Sequence, residues 1–283
     1  MKTGPKRVAI VTGASGMRGI GRAIALRFAK DGLDVALVDI QRDKSQIPER
    51  ETAAGWQGIE SVKGEIEALG ARAICIYADV TEPAEVQHAC ERTVAELGAI
   101  DVLVNNARAA IGKDRVPIID LDPAEWDRVV RVNMRGTFLF AQAVARHMVK
   151  HGVAGRIINM SSLSGKRGLA RHAAYCATKF AMNGFTQVLA LELGANNITV
   201  NAICPGMVDT GRWSLEEKQL AEREGISMEE AAKRNLAARA RGTALGRVAS
   251  ADDVAGMAAF LISTDAGHIT GQAINLCGGE TFH

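Results

Sequence analysis

The sequence predicts a doubly wound parallel α/β fold, a single domain over 1–283 with a sheet of about seven strands and helices on both faces. Short, β-rich and almost continuously apolar runs recur at 8–12, 35–39, 73–77, 102–104, 156–160, 199–203 and 273–276. Parallel strands covered on both faces read this way, whereas a half-solvated strand alternates polar and apolar residues. Helical patterns fill the intervals, at 20–30, 59–69, 84–97, 124–150, 173–193 and 252–263. Alternation of this kind with short loops implies right-handed crossovers within one sheet.

Local signals support the elements in turn. The first run, Val8-Ala9-Ile10-Val11-Thr12, leads into a glycine-rich turn and then an amphipathic helix. The second run ends at Asp39, after which 41–57 is polar and charged and reads as a solvated insertion. Thr81-Glu82-Pro83 and Asp122-Pro123-Ala124-Glu125 are helix-opening sequences, proline being favoured in a first turn where its missing N–H is no loss. The segment 207–241 is long and charged, with helical patterns at 215–224 and 228–240. Long loops past the carboxyl ends of parallel strands often close over a ligand, so this segment reads as a substrate lid.

Composition narrows the function. Chains of this size bury roughly 75% of their unfolded surface, so no disulfide or metal staple is needed. A formal charge of +2 and three tryptophans give neither the basic patch nor the stacking platform of a nucleic-acid binder. Five scattered cysteines without a Cys-x-x-Cys pair suggest reduced thiols. No run of about 18 apolar residues is present to span a membrane, and the N-terminal apolar run is too short for a signal peptide. A soluble cytoplasmic protein is expected. The six histidines lack metal-ligand spacing, so no metal is expected; His172, three residues before Tyr175, reads as a surface residue.

The turn Gly13-Ala14-Ser15-Gly16-Met17-Arg18-Gly19-Ile20-Gly21 lies where glycines let the backbone approach a pyrophosphate and the next helix offers free N–H groups. Asp39 lies twenty residues beyond Gly19, where a carboxylate accepts from the ribose hydroxyls of an adenosine and repels a 2′-phosphate. NAD is therefore expected over NADP, although Arg18 beside the turn is a possible phosphate partner. Tyr175 and Lys179 share a helix face one turn apart. An adjacent ammonium favours phenolate and draws a phenol pKa of about 10 toward neutrality, where general acid–base work is efficient.

With those residues in place, the chain resembles the short-chain dehydrogenase/reductase family over essentially its full length. The motifs, in order, are the 12–21 turn, Asp79-Val80, Asn105-Asn106-Ala107, Asn133, Ser161-Ser162, Tyr175-x-x-x-Lys179 and Pro205-Gly206-Met207-Val208-Asp209-Thr210. The tail Leu245-Gly246-Arg247…Ile269-Thr270-Gly271-Gln272 is also similar. The resemblance implies a Rossmann-type fold, with Tyr175 as general acid or base and Lys179 lowering its pKa and binding the nicotinamide ribose. It implies that Ser162, thirteen residues before Tyr175, holds the substrate oxygen, and that Asn133 holds a proton-relaying water. Gly13, Ser15, Arg18, Gly19 and Ile20 would meet the pyrophosphate, and Asp79 and Val80 the adenine. Asn106 and Ala107 would pass along the adenosine ribose, and Pro205, Val208 and Thr210 would flank the carboxamide.

Three departures stand out. Met17-Arg18 lengthen the turn by two residues, Arg108 replaces a usual glycine, and Cys277 replaces a usual aspartate. The resemblance implies an NAD-dependent alcohol dehydrogenase or ketoreductase acting on a small alcohol or carbonyl substrate. The alternative is an NADPH-dependent 3-oxoacyl thioester reductase. A non-catalytic regulatory protein is disfavoured because Ser162, Tyr175 and Lys179 are all retained. The helix 173–193 carries Ala177, Phe180, Ala181, Gly184, Phe185, Val188 and Leu189 on more than one side, where packing on its own sheet needs one apolar stripe. In this family that helix and 124–150 commonly form a two-fold interface. A homodimer is therefore expected, or a homotetramer if the tail 278–283 meets a second surface.

Overall fold

Every residue of strand β1, Val8–Thr12, is buried, and so is every residue of β4, Val102–Asn105, and β6, Thr199–Pro205. A computed structural model of the chain describes residues 6–42, 47–211 and 213–283, with nothing stated of the Leu215 side chain. With β2, Asp34–Asp39, β3, Ala73–Tyr77, β5, Arg156–Met160, and β9, Ala273–Leu276, these strands form one parallel seven-stranded sheet. Its order is β3-β2-β1-β4-β5-β6-β9. The order reverses between β1 and β4, which opens a crevice beyond their carboxyl ends where ligands of such sheets bind.

Two apolar cores lie on opposite faces. On one, helices α1, Ile20–Lys30, α3, Ile59–Ala68, and α10, Ala251–Ile262, contribute Ile24, Phe28, Ile59, Ile66, Val254 and Ala258. On the other, α4, Pro83–Leu97, α6, Gly136–His151, and α7, Ala173–Leu193, contribute Val86, Phe140, Val144, Met148, Leu189 and Leu193. Helix ends follow their sequence signals. Pro83 stands in the first turn of α4, and Asp122 accepts from Ala124 N at 2.8 Å to open α5, Pro123–Val130. Ser250 and Asp253 form a reciprocal capping box at α10.

Two expectations change. The single helix expected at 124–150 is interrupted, because residues Arg131–Arg135 form a π-helical turn between α5 and α6. That turn contains Asn133, and such bulges favour functional positions because they re-aim one side chain. The segment 41–57, expected to be solvated, folds onto the glycine turn in its described part. Its short helix α2, Glu49–Ala53, buries Glu51, whose carboxylate accepts from Met17 N at 3.0 Å. Trp56 Nε1 donates to Ser15 O at 2.7 Å. The physical reason is satisfaction of the lengthened turn, whose polar groups find partners on this segment. Residues 43–46 of the segment, and Arg212 of the segment 207–241, lie outside the described residues.

The segment 207–241 begins with β7, Val208–Asp209, paired to β8, Ala249–Ser250, and continues as α8, Ser214–Glu224, and α9, Met228–Ala240. The five cysteines are unpaired. Among the described residues no helix is long and apolar enough to cross a membrane, and no group of three or more His, Cys, Asp or Glu is placed to hold a metal ion.

Candidate active site

The glycine turn is built on Thr12. Its Oγ1 accepts from the N–H groups of Asn106 and Ala107, each at 3.0 Å, while Asn106 Nδ2 donates to Thr12 O at 2.9 Å and Gly13 O at 2.8 Å. These bonds tie the end of β1 to the end of β4 across the switch point. Gly13 has φ of +70°, and a Cβ there would stand 2.8 Å from Ala107 Cα. A Cβ on Gly21 would collide with Gly13 O. Gly19 is the N-cap of α1, so Ile20 and its neighbours present the helix's free N–H groups to the crevice.

Charge around the turn is paired. Asp39, at the end of β2, accepts from Ser15 N at 2.8 Å. Arg42 Nη2 meets Glu51 Oε2 at 2.8 Å, and Arg18 Nη2 reaches across to Asp209 Oδ2 of β7 at 2.6 Å. Arg18 therefore spans from the turn to the segment after β6 rather than lying over the turn itself. Arg50 of α2 donates to the carbonyls of Thr210 and Gly211, so this helix also grips the start of the segment 207–241. At the end of β3, Asp79 Oδ1 accepts from Thr81 N at 2.8 Å, and Val80 is buried against Gly136. Pro205 closes β6, with Val208 and Thr210 following it past the carboxyl edge of the sheet.

On the other side of the switch point, β5 delivers Ser162, which caps a 3-10 turn over Leu163–Gly165 by accepting from Ser164 N at 3.1 Å. That turn packs on α7. Lys179 is 3% exposed, and its ammonium donates to Met160 O at 2.5 Å while lying 5.7 Å from the Tyr175 ring centroid. Burial pushes the Lys179 ammonium below its ordinary pKa; proximity to Tyr175 pulls it back and Arg108 pushes it down further. Asn133 Oδ1 accepts from Ala109 N at 2.8 Å, and its Nδ2 donates to Thr178 Oγ1 at 3.1 Å. A buried chain of amides beneath the site, Asn105 Nδ2 to Asn159 Oδ1 and Asn159 Nδ2 to Thr186 Oγ1, fixes β4, β5 and α7 to one another. Half-buried His172 stands at the N-cap of α7, its Nδ1 2.9 Å from Ala170 O.

The structure thus brings Asn133, Ser162, Tyr175 and Lys179 to the carboxyl edge of one sheet, beside the glycine turn. Sequence reasoning missed Glu51, Arg50 and Trp56, although a tryptophan in a nominally solvated segment was a usable signal. It also missed Arg115, whose guanidinium carbon lies 4.6 Å from the Tyr175 ring centroid. Only its loop position, past the end of β4, pointed there.

A doubly wound sheet with a glycine-rich turn at a helix N-terminus and a Tyr–Lys pair at its switch point defines a class of nicotinamide-dependent oxidoreductases. The comparisons agree. The family model for short chain dehydrogenases matches residues 7–221. A short-chain dehydrogenase/reductase of Armillaria gallica is 41% identical over 98% of this chain and 96% of its own length. The sorbitol dehydrogenase of Cereibacter sphaeroides is 37% identical, covering 97% of each chain. The L-2,3-butanediol dehydrogenase of Corynebacterium glutamicum is 36% identical over 98% of this chain and 99% of its own. A short-chain dehydrogenase/reductase crystal structure from Mycobacterium marinum superimposes with a TM-score of 0.77 at 29% identity, covering 98% of this chain and 96% of that one. The chain belongs to the short-chain dehydrogenase/reductase family, oxidoreductases that act on CH–OH groups with a nicotinamide cofactor.

Proposed function

We propose that this protein is an NAD-dependent alcohol dehydrogenase or ketoreductase that interconverts a secondary alcohol and a ketone, with Tyr175 as the proton-transferring residue. The observation that carries the reading is the buried Lys179 ammonium against Tyr175, next to a turn whose closest approaches exclude side chains. The names of relatives that act on sorbitol and 2,3-butanediol support the substrate class.

The residues present fit the cofactor. Gly13, Ser15, Gly19 and Ile20 supply the side-chain-free backbone and helix end that suit a pyrophosphate. Asp39 supports NAD, because its carboxylate opposes a 2′-phosphate. Arg42 and Arg18, the cations that would favour one, are paired with Glu51 and Asp209. Asp79 and Val80 would border the adenine, Asn106 and Ala107 the ribose, and Pro205, Val208 and Thr210 the carboxamide. When bound, the nicotinamide supplies the hydride acceptor or donor.

The chain's own residues then handle orientation and the proton. Ser162 holds the substrate oxygen, and Tyr175 Oη takes the hydroxyl proton in oxidation or returns it in reduction. Lys179 stabilises the phenolate and binds the nicotinamide ribose. Its desolvated ammonium acts more strongly than an exposed one, because little water screens it. The Asn133 amide is engaged by Ala109 N and Thr178 Oγ1, so the water-holding role would fall to its backbone carbonyl, to which Thr137 Oγ1 donates at 2.8 Å.

The test is a panel of secondary alcohols, polyols, ketones and an acetoacetyl thioester, followed at the nicotinamide absorbance with both cofactors. Turnover of alcohols or ketones with higher kcat/KM for NAD is expected. Preferential reduction of the thioester with NADPH would replace this reading with the alternative.

A further inference from the structure

Resting on the reading of Tyr175 as the proton-transferring residue, we infer that Arg115 is a positioning residue for it: held by Asp114, its guanidinium covers the Tyr175 ring and favours the phenolate.

The loop after β4 folds around one buried carboxylate. Asp114 is 2% exposed; it accepts from Gly112 N at 3.1 Å and meets Arg128 Nη2 and Arg115 Nε, each at 3.3 Å. Arg128 is held in turn by Glu125 at 2.9 Å and donates to Ala110 O at 3.1 Å. With Arg128 balanced by Glu125, Asp114 is left to fix Arg115, and Arg115 is the member of that pair in contact with the ring. Its guanidinium carbon is 4.6 Å from the Tyr175 centroid, closer than the Lys179 ammonium at 5.7 Å.

Arg115 Nη1 is buried without a nitrogen or oxygen partner. Leaving a charged donor dry in this way is costly unless something replaces the water. An aromatic face does so in part, and more strongly when the ring is electron-rich, as a phenolate is. Burial lowers the Arg115 pKa, while Asp114 and then Tyr175 raise it. The pull between Arg115 and Tyr175 is mutual, so the cation that a phenolate stabilises also stabilises that phenolate. The other titratable groups around the phenol are His172, Cys176 and Lys179 on its own helix, Arg108 and Asp114 from the loop after β4, and Cys204 of β6 beside Lys179.

The chain's two tyrosines make the test direct. In a Tyr77→Phe background, the tyrosinate absorbance titrates Tyr175 alone, whether or not the protein turns over. Arg115→Met and Arg115→Gln, which both discard the charge, are expected to raise the Tyr175 midpoint by about one pH unit. Arg115→Lys, which keeps the charge, should stay close to the parent. In alcohol oxidation, where the phenolate is the active form, the acid limb of kcat/KM should move upward with the midpoint. Activity at neutral pH then falls about tenfold and recovers as pH rises. An unchanged midpoint in Met and Gln variants would overturn the inference, as would a Lys variant shifted as far as the Met variant. The reading of Tyr175 fails separately, through retained turnover of Tyr175→Phe.

Discussion

Among single residues, Lys179 and Asp39 carry opposite demands. Lys179 is buried one helical turn from a phenol, and burial that disfavours its ammonium is offset most when that phenol ionises. Replacing Tyr175 by Phe removes the proposed proton acceptor and keeps the ring. Turnover should drop by about 10²–10⁴-fold, while cofactor affinity stays within a few fold. Stopped-flow turnover with a cofactor-binding titration checks both halves, and retention of a tenth of the activity would remove Tyr175 from the chemistry. Asp39 sits on the turn through Ser15 N, and on the proposed reading its charge opposes a 2′-phosphate. Asp39→Ser should move the ratio of kcat/KM for the two cofactors toward NADP, and a wild type that already prefers NADP would transfer control to Arg18.

Between elements, the contacts that place the site are close approaches and tethers. Helix α1 can meet β1 and β4 only because position 21 has no side chain. Gly21→Ala pushes a methyl into Gly13 O, and overpacking of this kind costs about 1–3 kcal/mol. Urea denaturation should show that loss, and a shift toward higher stability would mean that the turn yields more readily than its packing suggests. The tether from α2 to the segment after β6 works differently. Arg50 donates to two carbonyls, at Thr210 and Gly211. A hydrogen bond from a charged donor contributes about 1.5–3 kcal/mol, so Arg50→Ala should speed amide exchange over 207–211 by about tenfold or more. Unchanged exchange there would show that β7–β8 pairing alone holds the segment.

Across the whole molecule, α6 and α7 leave an apolar face open. Phe138, Phe180, Val188 and Leu191 are exposed, and Phe138 and Phe185 meet edge to face at 6.3 Å. Leu189, another apolar residue of α7, lies on its sheet-facing side and is buried in the core. Large apolar side chains exposed on neighbouring helices are a candidate surface for self-association. Light scattering at micromolar concentration should give two or four times the 30.1 kDa chain mass. A monomer would leave the Phe180 face without a partner and end the assembly proposal.

The sequence alone determined the seven strands of the sheet and most of the helices between them. Its resemblance to a family pointed to Asn133, Ser162, Tyr175 and Lys179 as the proposed site. The strands and the Tyr175–Lys179 pairing rest on local periodicity and spacing, because buried strands read as apolar runs and i, i+4 residues share a helix face whatever surrounds them. Asn133 and Ser162 follow from the resemblance instead. Folding decided what depends on residues far apart. The π turn at 131–135 leaves no mark in hydrophobic pattern, because its extra residue is absorbed within a continuous helix. The docking of 47–57 depends on which distant groups lack partners, since Glu51 is polar by composition and is buried where Met17 N and the Arg42 guanidinium both donate to its carboxylate. Arg115 meets Tyr175 across sixty residues of chain because Asp114 turns inward, and a single buried carboxylate in a charged loop is visible only once the loop has closed around it.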